Sequence, residues 1–173
     1  GGATEFAVHQ IAVDNSRIER SSISGATSQD VAPNGGADDG GEGGIIIESS
    51  GSPILRTWVK DNSVSNWERF GIRFVELAGG VISGNTVVGV GVSGSRTVAQ
   101  GISLNSACYN VMITQNNVGS VQVATTARTG IYVDGFKVLI TGNNANVTSG
   151  ATSDFGVYLG TNSLNCIADT NQT

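Results

Sequence analysis

The sequence predicts an all-β solenoid in which short parallel strands stack as about six coils of ~28 residues each. Three observations carry the prediction. Two short phrases return at nearly even spacing, apolar residues alternate within strand-length runs, and the composition is poor in helix formers.

The first phrase is a glycine followed by an apolar, a variable and a second apolar residue. It occurs as Gly44-Ile45-Ile46-Ile47, Gly71-Ile72-Arg73-Phe74, Gly101-Ile102-Ser103-Leu104, Gly130-Ile131-Tyr132-Val133 and Gly156-Val157-Tyr158-Leu159, with spacings of 27, 30, 29 and 26 residues. A second phrase follows each of the first four copies and frames an asparagine between two apolar anchors. Its members run from Val59 through Asn62 to Val64, Ile82 through Asn85 to Val87, Ile113 through Asn116 to Val118, and Ile140 through Asn143 to Ala145. Ile18 to Ile23 is a weaker first copy with Ser21 at the Asn position, and Cys166 to Asn171 is a last copy that reads about one residue out of step.

Period-two alternation dominated by Val and Ile in runs of four to six residues marks short strands. Two or three such strands per repeat cannot bury a face alone, and stacking them in register gives one continuous core. Asn tolerates left-handed backbone better than most residues, so the recurring Asn is expected at a sharp bend. Asn62, Asn85, Asn116 and Asn143 should stack ~4.8 Å apart as a structural ladder of side-chain amides. The glycines of the first phrase are expected to start their strands at the other tight corner, and residues 93–100 and 148–155 read as lesser loop excursions.

Composition narrows the function classes. Of 173 residues, 25 are Gly, 2 are Pro and 13% are charged, against about 25% in an ordinary globular chain. Net charge is −5 with only two lysines, Lys60 and Lys137, which argues against nucleic acid and anionic membranes as partners. His9 is the single histidine, leaving almost nothing for a His-based triad or metal site. No apolar run approaches the ~20 residues of a spanning helix. Cys108 and Cys166 either pair or stay as free thiols. The chain is expected to be one domain over residues 1–173, about six rungs of a longer protein, because an open solenoid needs caps and none is evident at Gly1 or Thr173.

The repeated Gly-Ile-x-Leu and Ile-x-x-Asn-x-Val phrases, spanning about residues 16 to 171, resemble the right-handed parallel β-helix proteins of the pectate-lyase-like superfamily. The richness in Ser, Thr, Asn and Gly is most like phage tailspikes and tail-fibre polysaccharide depolymerases. That resemblance implies a right-handed parallel β-helix, an extracellular or virion-associated location, a bacterial surface polysaccharide as partner and a homotrimer. The fold also carries non-catalytic adhesins, so a structural stalk that mediates oligomerisation is the alternative.

Strand parity assigns an outward column of Ile46, Arg73, Ser103, Tyr132 and Tyr158 to the first strand, and Glu48, Val75, Asn105, Asp134 and Gly160 two residues further on. Arg73, Tyr132, Tyr158 and Asn105 are candidate ligands of an acidic or neutral glycan, on a face that otherwise reads as an ordinary solvated sheet. Before the second phrase, Trp58, Val81, Met112, Leu139 and Cys166 form an outward apolar column, read as an interface with another subunit or with the rest of a longer chain, unless parity slips by one residue.

Glycoside hydrolysis needs two carboxyls, ~6.5 to 9.5 Å apart for inversion. Glu76 and Asp134, two coils apart, are the candidate catalytic pair, with Glu48 as a further candidate; each also reads as a solubilising surface acid. A lyase would instead need a base and a cation beside the uronate, and the motifs of pectate lyases and polygalacturonases do not carry over to this chain. No cofactor is expected. Asp38, Asp39 and Glu42, in the 24–43 loop, bring three carboxylates into five residues as a candidate calcium site, or simply a glycine-rich loop.

Overall fold

The computed structural model describes residues 6–11, 14–24, 43–49, 53–67, 69–91, 98–121, 127–147 and 153–172. Its strands, numbered in chain order, form three sheets that are parallel throughout. The first contains β1 (Phe6–Ile11), β4 (Gly43–Glu48), β7 (Phe70–Val75), β10 (Val98–Leu104), β13 (Ala127–Val133) and β16 (Ser153–Leu159). The second contains β2 (Arg17–Glu19), β5 (Ile54–Lys60), β8 (Leu77–Ser83), β11 (Tyr109–Thr114), β14 (Leu139–Thr141) and β17 (Ile167–Asp169). The third contains β3 (Ser22–Ser24), β6 (Ser63–Trp67), β9 (Thr86–Val90), β12 (Asn117–Val121) and β15 (Asn144–Val147). Each coil therefore contributes one strand to each sheet, and the sixth contributes to the first two. This is a right-handed parallel β-helix of about six coils, and no helix occurs among the described residues.

Both repeated phrases supply its core. The first-phrase pairs Ile45/Ile47, Ile72/Phe74, Ile102/Leu104 and Ile131/Val133 face inward, as do Val59, Ile82, Ile113 and Ile140 of the second sheet and Val64, Val87, Val118 and Ala145 of the third. Burying each of these larger side chains contributes roughly 1.5–3 kcal/mol. Because each coil repeats the same inward positions, the contributions join into one continuous core.

The Asn ladder is present and longer than four rungs. The backbone N–H and Nδ2 of Asn62 both donate to Asn85 Oδ1 (3.0 and 2.9 Å), Asn85 does the same to Asn116 (3.0 and 2.9 Å), and Asn116 to Asn143 (2.9 and 2.9 Å). Asn143 continues to Asn171 (3.1 and 2.8 Å), so the last copy of the phrase is in step, with Ala168 as its anchor opposite Ile140. At the other end the Ser21 N–H donates to Asn62 Oδ1 (3.0 Å).

Three expectations about these corners need correction. The left-handed residue is the one before each rung, as at Asp61, Gly84, Gln115, Gly142 and Thr170, so Asn is selected for its two-sided amide and not for its φ. The first-phrase glycines lie inside their strands, and none is among the left-handed residues. They are glycine because the backbone passes too close to the third sheet: a Cβ on Gly101 would collide with Val118 Cγ1 and sit 2.7 Å from the Gly130 carbonyl oxygen. Finally, residues 98–100 and 153–155, read as parts of loop excursions, begin β10 and β16.

Candidate functional site

Register places the predicted first-sheet residues in one column: Ile46 pairs with Arg73, Arg73 with Ser103, Ser103 with Tyr132 and Tyr132 with Tyr158. Its exposure is uneven. Ile46 and Ser103 are buried, Arg73 and Tyr132 are half-buried, and Tyr158 is exposed.

A second column precedes the glycines, with Gln100 opposite both Phe70 and Thr129, and Thr129 opposite Phe155; Phe70, Gln100 and Thr129 are largely covered and Phe155 is exposed. Alternation breaks between the two columns, since Gly101 points at Val118 and Ile102 is in the core. Along that break lies a groove of about 410 Å³ lined by Val98, Gln100, Ala127, Thr129, Tyr132, Phe155 and Tyr158. This is within the range of small-ligand sites.

Three aromatic rings shape it. Tyr132 and Tyr158 stack with centroids 5.6 Å apart and planes 9° apart, and Phe155 meets Tyr158 at 4.9 Å and 52°. For planes in contact at ~3.5 Å, a 5.6 Å centroid separation requires a lateral slip of about 4 Å, so the rings overlap like shingles and leave part of each face uncovered. Burial, then the nearby Asp134 carboxylate and Tyr158, push the Tyr132 phenol above its ordinary pKa, keeping it a hydrogen-bond donor at neutral pH.

The groove was half visible in the sequence. Tyr132 and Tyr158 lie in the column that strand parity predicts, whereas Val98, Gln100, Ala127, Thr129 and Phe155 precede the glycine of the first phrase, so parity counted from that glycine does not reach them. The missed signal is a third repeat: Val98-Ala99-Gln100, Ala127-Arg128-Thr129 and Ser153-Asp154-Phe155 stand in register directly before the glycines. Arg73 lies outside the groove lining, its guanidinium 4.5 Å from the Phe70 ring centroid.

The carboxylate candidates are held by turns. Glu76 sits between β7 and β8 with a left-handed φ of 57°, and its Oε2 accepts the Ser49 hydroxyl (2.6 Å) from the preceding coil. Asp134 accepts the Asn162 N–H and Nδ2 (both 2.9 Å) from the following coil. The two are thus drawn in opposite directions along the axis. Glu48 ends β4 half-buried, opposite Val75. Asn105 Oδ1 accepts the N–H groups of Glu76 (3.2 Å) and Ala107 (3.3 Å), bracing a turn.

On the second sheet Trp58, Val81, Met112 and Leu139 are in register and face out, as parity required. The column continues through Ile167, not Cys166, whose side chain packs against the core and donates to the Gly135 carbonyl oxygen (3.2 Å). Both cysteines are free. A second apolar column runs beside the first, from Leu55 through Ala78 and Tyr109 to Phe136, with Tyr109 and Phe136 stacked at 5.0 Å. Lys60 ends β5, while Lys137 precedes β14 at a left-handed position.

Among the described residues no group of three or more His, Cys, Asp and Glu side chains is arranged to hold a metal ion, and no helix is long and apolar enough to cross a membrane. Asp38, Asp39 and Glu42 lie outside the described residues. Compared with protein-family models, curated proteins and solved structures, the chain gives no match, so its architecture is established by strand register and its function must be argued from the groove.

Proposed function

We propose that this chain is a carbohydrate-binding β-helix related to the pectate-lyase-like superfamily, and that it engages a bacterial surface polysaccharide as part of a tailspike-like or secreted protein. The observation that carries the reading is the groove. Two shingled tyrosines and a tilted phenylalanine offer apolar faces to the C–H side of sugar rings, while Gln100, Thr129 and the phenols can donate to and accept from sugar hydroxyls. Adjacent coils place these groups at a ~4.8 Å repeat, so a chain-like ligand can run along the axis.

The test is affinity electrophoresis of the protein through gels containing capsular or O-antigen polysaccharides, with Tyr158→Ala as the comparison. Retardation that the variant loses supports the reading. Unchanged mobility on every glycan removes it. New reducing ends or unsaturated uronates in the same incubations would add cleavage, and their loss in Glu76→Gln or Asp134→Asn would assign it to those acids.

A second reading, a stalk that oligomerises through its second sheet, is favoured by the paired apolar columns there. Five coils at ~4.8 Å and six residues at ~3.3 Å give a face of about 20 by 20 Å, or ~400 Å², comparable with the largest patches of soluble monomers, which are often functional. The occupant proposed is a further copy of this chain, in a homotrimer. Sedimentation equilibrium of wild type and Met112→Glu distinguishes the outcomes: an oligomer dissociated by the substitution supports it, and a monomer at micromolar concentration overturns it.

A further inference from the structure

We infer that the groove on the first sheet selects neutral glycans over acidic ones. The inference rests on the glycan-binding reading above and adds the class of sugar. None of the seven lining residues is Asp, Glu, Lys or Arg. A uronate or sialate carboxylate placed there would lose hydration with no cation among the described lining residues to replace it, a cost of several kcal/mol for an ion without a partner.

The charges nearest in sequence are turned to other tasks. Arg128 and Asp154 stand beside Thr129 and Phe155 on the same strands, yet Arg128 is only 5% exposed and its Nε donates to Asp154 Oδ1 at 2.9 Å. The pair belongs to the opposite phase of the strand, in register with the core residue Ala99. The Arg73 guanidinium lies over Phe70, and both oxygens of Asp134 accept from Asn162. Segments 92–97, 122–126 and 148–152, which lead into the three groove strands, contain a single ionisable residue, Arg96. The net charge of −5 adds a repulsive field for any polyanion.

What remains suits uncharged sugars. Apolar ring faces contribute binding without regard to charge, and Gln100, Thr129 and Tyr132 supply neutral groups that read hydroxyl positions. Binding should therefore depend little on salt, since no ion pair forms across the interface.

The experiment titrates the intact protein with dextran, mannan and galactomannan as neutral probes and with polygalacturonate and alginate as acidic ones, at 20 and 300 mM NaCl. We expect at least one neutral probe to bind with a Kd that changes less than twofold between the two salts, and to bind at least tenfold weaker to Tyr158→Ala. Ala127→Lys, at the groove edge, should gain affinity for polygalacturonate. Binding of an acidic probe at least as tight as any neutral one overturns the inference while leaving the glycan reading intact. Absence of binding by all five probes overturns the inference, and unchanged mobility on the capsular and O-antigen gels as well overturns both.

Discussion

Replacing the central rung Asn116 by alanine should destabilise the solenoid more than almost any other polar substitution in it. The Asn116 side chain makes five hydrogen-bond contacts, its two N–H protons serving three acceptors. Its Oδ1 accepts from the backbone N–H and Nδ2 of Asn85 (3.0 and 2.9 Å), and its Nδ2 donates to Asn143 Oδ1, the Ile82 carbonyl (both 2.9 Å) and the Thr114 carbonyl (3.1 Å). Truncation leaves the Asn85 N–H without this partner and strips the Ile82 carbonyl of the side-chain donor, at a position only 2% exposed. Each buried group left unpaired costs about 1–3 kcal/mol. Asn85 Nδ2 keeps its bond to the Val59 carbonyl and Asn143 Oδ1 keeps the Asn116 N–H, so two groups bear most of the loss, or about 2–6 kcal/mol. That is a large part of a typical domain stability of about 5–15 kcal/mol. The assay is urea denaturation followed by circular dichroism, with two controls. Asn117, the next residue, makes one exposed side-chain bond, from Asn144 Nδ2 (3.1 Å), and Asn117→Ala should shift stability by less than about 0.5 kcal/mol. Asn171→Ala, at the half-exposed end rung where water can replace lost bonds, should fall between the two. A cost for Asn116→Ala no greater than that of Asn117→Ala would refute the ladder as a source of stability.

Gly101→Ala should cost about 1–3 kcal/mol in thermal or urea unfolding, because Val118 and the Gly130 carbonyl leave no room for a methyl, whereas Gly119→Ala, with its nearest neighbour 3.8 Å away, should be close to neutral; equal effects would contradict the packing account. Burial pushes the Cys108 thiol up to about 11 from 9.0, leaving about 0.1% thiolate at pH 8, so a disulfide reagent at that pH should label Cys166 promptly and Cys108 only on unfolding; two equally fast thiols would overturn this. Since the unfolded chain releases this proton first, the contribution of Cys108 to stability is complete below pH 9 and lost as pH rises through about 11, a decline that Cys108→Ala should diminish. Arg128→Met should cost about 1–3 kcal/mol by taking the guanidinium away from the Asp154 carboxylate, less than for a fully buried pair because Asp154 keeps some solvent contact, and Arg128→Met with Asp154→Leu should recover part of the loss; a silent single variant would deny the ion pair a structural role.

The fold could be read from the sequence because each coil meets the same physical problem and answers it with the same residue types. Inward Ile, Val and Leu recur at fixed offsets, and the rung accepts a side chain that can donate to one neighbour and accept from another. Only Asn offers both at that length, so it repeats. The left-handed corners were not readable. They form columns as regular as the ladder, yet Arg56, Asn110 and Lys137 occupy equivalent positions with φ of 54°, 55° and 53°. Stacking overrides a backbone preference worth about 1–2 kcal/mol, and the position leaves no residue signature. The glycines misled for the related reason that close approach between sheets selects glycine as firmly as a turn does.

The groove was less readable because a repeat protein places its specificity where successive coils differ. Its scaffold is regular: Gln100, Thr129 and Phe155 share one column, and Ser103, Tyr132 and Tyr158 share the next. What makes a site there is the change along each column, from amide to hydroxyl to phenyl in one and from serine to two tyrosines in the other. The charges follow the same logic. At the inward position between the Val98 and Gln100 columns stand Ala99, Arg128 and Asp154, so a departure from the apolar rule in one coil is neutralised by a departure in the next. Such a pair lets the strands carry ionisable residues without presenting charge to the groove. A uniform core thus holds the backbone in register, while coil-to-coil substitutions on the outer face set the chemistry offered to a ligand lying along the axis.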